Sequence, residues 1–118
     1  MALHNTLGKL GEILARAWLK NEGYEVLDYN WRYGRYEIDV VVLKKDVLHF
    51  VEVKTRYASP FGYPEDAVTR GKFRRLKIAA QAYLNFRPGF RWIQYDILAI
   101  TFFYGAEPEY YFLEDVFI

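Results

Sequence analysis

Cysteine is absent and histidine occurs only twice. The first absence excludes disulfides, thiolate-ligated zinc, iron–sulfur clusters and thiol catalysis, and it fits a reducing compartment. The second leaves a multi-histidine metal site or a Ser-His-Asp triad little material, because His4 lies near the start of the chain and His49 inside an apolar run. No apolar run approaches the ~20 residues of a membrane span, and the first residues lack the basic and apolar regions of a secretory signal. A cytoplasmic location without membrane contact is the expectation. Charge of one sign is lacking overall as well: sixteen Lys and Arg face fifteen Asp and Glu, for a net charge of +1. Carboxylates and lysines remain as the carriers of any chemistry.

What is present is an apolar, unevenly charged chain of 118 residues, 53% hydrophobic. That describes one domain over residues 1–118 with one core, burying roughly 65% of its unfolded surface. No repeat, low-complexity tract or linker divides it. From Ala67 to Tyr95 there is no acidic residue, while Arg70, Lys72, Arg74, Arg75, Lys77, Arg87 and Arg91 contribute +7, which leaves the rest of the chain at −6.

Leu7, Leu10, Leu14, Ala17 and Trp18 recur at helical spacing, so a helix is expected over Thr6 to Asn21, capped by Asn5 or Thr6 and ended by Gly23. Tyr24 to Tyr29 reads as a strand, and Asn30 to Gly34 as a connection. Two runs rich in Val, Ile, Leu and Phe flank Lys44, Lys45 and Asp46 between Tyr36 and Thr55, which is a β-hairpin signal. Arg56 to Pro64 carries loop punctuation. A second helix is expected from Thr69, or from Pro64, to about Asn85, with Phe73, Leu76, Ala80, Tyr83 and Leu84 on its apolar face and Arg70, Arg74, Lys77 and Gln81 on another. Arg91 to Phe103 and Tyr110 to Leu113 complete the order α, β, β, β, α, β, β.

A hairpin turn at Lys45 and Asp46 pairs residues whose numbers sum to 91, placing Asp39 opposite Glu52 and Glu37 opposite Lys54. Those four share one face with Val41, Leu43, Leu48 and Phe50, while Ile38, Val40, Val42, Val51 and Val53 take the other. Opposed carboxylates destabilise a strand pair by about 0.2–1 kcal/mol in solvent, and a hard divalent cation such as Mg²⁺ or Mn²⁺ resolves the conflict. The bland alternative pairs Glu37 with Lys54 and leaves Asp39 and Glu52 on a solvated sheet end, protonated or salt-bridged to Arg32, Arg35 or Arg56. On helix 1, Glu12 is flanked by Gly8, Gly11 and Ala15. Glycines there cost about 1 kcal/mol each relative to Ala, which suggests close approach of a backbone, metal or ligand, or simply tight packing on the sheet.

With Asp39, Glu52-Val53-Lys54 and Glu12 in view, the chain resembles the PD-(D/E)XK nuclease superfamily. Glu12 matches the extra helix-1 glutamate of its Holliday-junction-resolvase-like branch. More narrowly, Gly11-Glu12, Gly23-Tyr24, Asn30-Trp31-Arg32, Glu37-Ile38-Asp39, Phe50 to Arg56, Phe61-Gly62, Lys72 and Tyr95-Asp96 resemble the YraN-like family, uncharacterised protein family 0102. Tyr36 stands where that family usually has Gly, and no Gln-x-x-x-Tyr element of the RecB-like nucleases occurs on helix 2. The resemblance implies a restriction-endonuclease-like α/β fold, an αβββαβ core with a mixed central sheet flanked by helices.

The activity it implies is metal-dependent phosphodiester hydrolysis in DNA, branched or single-stranded. Asp39, Glu52 and the Val53 carbonyl would ligate one or two Mg²⁺ or Mn²⁺ ions, and Glu12 would complete the shell directly or through water. Lys54 would orient or help deprotonate water and stabilise charge on phosphorus, with Glu37 in the outer shell. Arg70, Lys72, Arg74, Arg75 and Lys77 would hold the phosphate backbone, unless they are a solvated helix face. DNA is favoured over RNA as partner. Trp31, Tyr33, Tyr57, Phe61 and Tyr63 are candidates for base stacking, though packing is the commoner role. The edge strand Tyr110 to Leu113 offers a route to a homodimer, as in junction-cutting relatives. Two other classes stay open: a catalytically silent nucleic-acid-binding module with the same fold, and a structural or protein-interaction domain.

Overall fold

Two glycine-dependent turns and one long crossover set the architecture. In the computed structural model, which describes residues 2–58 and 69–116, the elements are α1 (Ala2–Asn21), β1 (Glu25–Tyr33), β2 (Tyr36–Lys44), β3 (Val47–Tyr57), α2 (Arg70–Phe86), β4 (Trp92–Phe103) and β5 (Ala106–Leu113). The strands form one sheet in the order β1-β2-β3-β4-β5. Its β1–β2, β2–β3 and β4–β5 pairs are antiparallel and its β3–β4 pair parallel, joined through α2. This is the expected αβββαβ core with a mixed sheet flanked by helices. Among the described residues no helix is long and apolar enough to cross a membrane.

Helix α1 begins at Ala2, earlier than the Asn5 or Thr6 cap predicts, and stops where Gly23 adopts φ +93°. The Tyr24 amide donates to the Leu19 carbonyl at 3.0 Å and the Gly23 amide to that of Lys20 at 3.1 Å, closing a Schellman motif. The buried stripe is rotated from the expected one. Gly11, Ala15 and Leu19 are buried, Leu14 and Trp18 half-buried, and Leu10 and Ala17 exposed. Gly11 explains the rotation: a Cβ there would collide with the Thr55 methyl group, so the helix lies directly on β3. Gly8 meets no such neighbour among the described residues. Gly11→Ala is therefore expected to cost about 1–3 kcal/mol of overpacking, part of it offset by better helix propensity. In urea titrations Gly11→Ala/Thr55→Ser should recover most of that loss; strictly additive costs would mean the two positions do not touch.

A two-residue turn with Gly34 at φ +59° joins β1 to β2. Strand β1 thus runs on through Asn30 to Tyr33, which sequence periodicity reads as a connection. Trp31 is accordingly a packing residue, edge-on to Tyr83 at 5.2 Å and to Phe86 at 5.9 Å. Lys45 and Asp46 both take left-handed conformations (φ 50° and 67°), the requirement of a two-residue hairpin turn whose twist matches the strands. The expected register holds from Lys44↔Val47 to Val40↔Val51. Strand β3 extends to Tyr57, into the predicted loop; residues 59–64 of that loop, with Phe61 and Tyr63, lie outside the described residues.

The two faces carry separate cores. Val40, Val42, Val51, Leu98 and Ile100 pack under α1 with Ala15, Leu19 and Tyr24. Val41, Leu48, Phe50 and Ile97 pack under α2 against Phe73, Leu76, Ala80 and Tyr83. Thr69 caps α2 as predicted, its hydroxyl accepting from the Lys72 amide at 3.2 Å. Ile38 also belongs to the α2-side core, contrary to the strict alternation that groups it with Val40. Ile38 and Val41 are three residues apart, so alternation breaks across Asp39.

Candidate active site

The break at Asp39 is where the sheet opens. Ladder pairing between β2 and β3 ends at Val40↔Val51, so the expected Asp39–Glu52 and Glu37–Lys54 ladder pairs are not formed. The Asp39 carboxylate takes the place of a backbone acceptor: its Oδ2 accepts the Val53 amide at 2.8 Å. In an extended strand a residue's own N–H and C=O point to the same edge, so the Val53 carbonyl also faces this gap. Strand β3 stays aligned on its other side by parallel pairing of Glu52 with Ile97 and Val53 with Leu98.

Both acids at the gap are harder to ionise than usual. Asp39 is pushed up to about 7, first by burial and next by the Glu52 charge, against which the Val53 amide works in part. Glu52 is raised by burial, while Lys54 and Lys72 hold it down. Glu37 and Glu12 add smaller repulsion at Asp39. Two partly buried carboxylates that repel one another, with a carbonyl turned to the same gap, are a hard-cation donor set. The residues Asp39, Glu52 and Val53 therefore fit a divalent metal.

Glu12 is placed differently. Among the described residues no three His, Asp or Glu side chains converge as a metal-binding group, so Glu12 does not join Asp39 and Glu52 in a three-acid set. Its Oε1 accepts from Asn30 Nδ2 at 3.4 Å, and Asn30 holds a left-handed φ of 49°. Glu37 is paired with Arg32 at 3.3 Å.

A cavity of about 240 Å³ opens beside Glu52, lined also by Arg35, Tyr36, Glu37, Lys72, Arg75 and Leu76. The basic residues of α2 thus divide. Lys72 and Arg75, three apart, face the acids, whereas Arg70, Arg74 and Lys77 line no part of this cavity and are exposed. Sequence reasoning offers Arg35 only as a salt-bridge partner of the acids and not as a cavity residue, a place it takes from the turn two residues before Glu37. It also missed Asn30 as the partner of Glu12.

A second polar cluster lies under α1. His49 Nδ1 is 2.6 Å from Asp96 Oδ2, and Asp96 Oδ1 accepts from Gln94 Nε2 at 3.1 Å and from the Asp115 amide at 2.9 Å. His49 and Asp96 are 5% and 1% exposed. Tyr24 packs edge-on against His49 at 5.1 Å, its hydroxyl pushed up to about 12 by burial and then by Glu114. Every polar atom of this cluster that is buried has a partner. It reads as a structural clasp between β3, β4 and the chain after β5.

The geometry matches a recurring sequence. The model of uncharacterised protein family UPF0102 matches residues 11–100, an interval that contains Glu12, Asp39, Glu52, Lys54, Lys72 and Arg75. A UPF0102 protein of Flavobacterium johnsoniae is 47% identical over 87 residues, covering 74% of this chain and 71% of the relative. One from Clostridium perfringens is 34% identical over 116 residues, 97% of this chain and 95% of the relative. A third, from Chlorobium chlorochromatii, is 44% identical over 95 residues, 80% and 74% of the two chains. The chain belongs to UPF0102, the YraN-like family.

Proposed function

We propose that this chain is a nuclease that hydrolyses phosphodiester bonds in DNA with Mg²⁺ or Mn²⁺. The observation that carries this reading is the pair of repelling, partly buried carboxylates, Asp39 and Glu52, at a gap in the sheet with Lys54 two residues along the same strand face. Asp39, Glu52 and the Val53 carbonyl would hold the cation, and Glu12 would reach it through water. When bound, such an ion polarises the phosphate and lowers the pKa of a coordinated water.

The chain's own residues do the rest. Asp39 is fixed by the Val53 amide, so its second oxygen is presented without a search over rotamers. Lys54, on the Glu52 side of β3, orients the attacking water and donates to the phosphoryl oxygens as charge develops on them. The water oxygen bonds to phosphorus as the ester P–O bond to the leaving sugar breaks; the water proton passes to solvent, and the leaving alkoxide takes one back. Glu37, held by Arg32, tunes the pair from outside.

The test is incubation of wild type and Lys54→Ala with single-stranded, duplex, flapped and four-way-junction DNA and with RNA, in Mg²⁺ or Mn²⁺ at low salt. Wild type should cleave at least one DNA form, and Lys54→Ala should lose about 10²–10³-fold in rate. Binding without cleavage by wild type would replace the enzyme with a silent binding module, and absence of both would refute either reading.

A further inference from the structure

We infer that Arg35 and Arg75 form a two-sided clamp that grips one phosphate of a polynucleotide backbone in the cavity beside Glu52. This rests on the phosphodiester reading of the neighbouring acids for its substrate, though not for its geometry. The charge count of the cavity asks for an anion. Arg35, Lys72 and Arg75 line it against Glu37 and Glu52, and Glu37 is already paired with Arg32 at 3.3 Å. Lys72 acts on the Glu52 carboxylate. Arg35 and Arg75 have no carboxylate partner among the described residues. Two guanidinium groups left over at one concavity present flat, forked donor sets, the arrangement that matches phosphate oxygens in pairs.

Their anchoring supports the same assignment. Arg35 sits in the two-residue turn between β1 and β2, its guanidinium 5.6 Å from the Tyr36 ring centre, and Tyr36 packs into the α2-side core. Arg75 precedes buried Leu76 on α2. One cation thus comes from a short hairpin and one from a packed helix, which limits the order that binding must impose. The cavity, about 240 Å³, lies below the roughly 300–1,000 Å³ of pockets that enclose drug-sized ligands. It suits a backbone phosphate with bases left outside, and binding there would be blind to sequence.

The experiment measures anisotropy of a fluorescein-labelled single-stranded DNA oligonucleotide in EDTA across a KCl titration, with wild type, Arg35→Ala, Arg75→Ala, the double variant and Lys45→Ala. Lys45 lies in the far hairpin turn and should leave binding unchanged. Each arginine variant should weaken binding and flatten the slope of log K against log[salt] by about 0.7, the value of one single-strand phosphate contact. The double variant should flatten it by the same amount, since both residues hold one phosphate. Additive slope losses, slopes equal to wild type in both single variants, or no binding by wild type would each overturn the clamp. Melting curves matching wild type establish that the variants fold. The cleavage assay separates the two ideas: no hydrolysis with the shared slope loss intact removes the nuclease and keeps the clamp, whereas hydrolysis with unaffected slopes removes only the clamp.

Discussion

Asp39→Asn should make the metal-free protein more stable at neutral pH and abolish the stabilisation that Mn²⁺ gives to wild type. The carboxamide oxygen of the substituted side chain would still accept the Val53 amide, so the gap between β2 and β3 keeps its bridge while the repulsion from Glu52 disappears. The sign with pH follows from linkage. In the folded chain Asp39 titrates at about 7 against an ordinary 3.8. Its contribution is fully present below the unfolded value and is lost as pH rises through about 7, at a slope of up to about 1.4 kcal/mol per pH unit for one proton. In EDTA, the stability advantage of Asp39→Asn over wild type should therefore grow from pH 4 to 7 and level off above. A divalent cation reverses the order. At a concentration of about 100 Kd it stabilises wild type by about 2.7 kcal/mol, near 10 °C for a chain of this size. The gain should increase with pH, because the cation displaces the Asp39 proton. Calorimetry of both proteins with and without Mn²⁺ decides it. Equal Mn²⁺ shifts in the two, or none in wild type, would remove Asp39 from any metal site. Cleavage should fall by about 10³-fold in the variant if Asp39 is the ligand proposed.

The legible and illegible parts of this site have different physical origins. The β2–β3 register is readable because a two-residue turn and period-2 alternation are local, and they hold from Lys44↔Val47 to Val40↔Val51. At Asp39 the local rule fails, because a side-chain carboxylate replaces a backbone acceptor and no periodicity announces that substitution. The same corner still stands out as chemistry, since acids crowded near one lysine on a hairpin are conspicuous whatever their register. On α1 hydrophobic periodicity misplaces the burial stripe by part of a turn: it favours Leu10, whereas the contact that decides the face is the absence of a side chain at Gly11. Trp31 reads as part of a turn because Asn30 and Gly34 look like punctuation, yet Asn30 takes its left-handed conformation inside a continuing strand. Arg35 reaches its cavity from a turn while Lys72 and Arg75 arrive from a helix far along the chain, and that convergence has no signature in any sequence window.

The Asp96 cluster, equally invisible to spacing, should yield the largest loss of stability. Asp96→Ala is expected to cost about 3–5 kcal/mol, because it strips the partner from several hydrogen-bonding groups at once at about 1–3 kcal/mol for each one left buried, and to lower the melting temperature by about 10 °C or more. Asp96 is held from three directions at once: by His49 on β3, by Gln94 on its own strand and by the Asp115 amide after β5. The 2.6 Å contact joins His49 Nδ1 to Asp96 Oδ2, and alanine would leave that ring nitrogen buried without a partner. Asp96→Asn preserves the shape and at least one acceptor, so its cost should be smaller. His49→Ala in the Asp96→Ala background should cost far less than it does alone, because the orphaned group goes with it. The loss should also be local in its first stage. The Val116 amide donates to the Tyr95 carbonyl at 2.8 Å, so hydrogen exchange at Asp115 and Val116 should accelerate before the β3–β4 ladder opens. An Asp96→Ala protein within about 0.5 kcal/mol of wild type would mean that water replaces the carboxylate at no cost. The position would then have to be explained by something other than the clasp it makes between β4 and the parallel strand β3, which carries Glu52 and Val53.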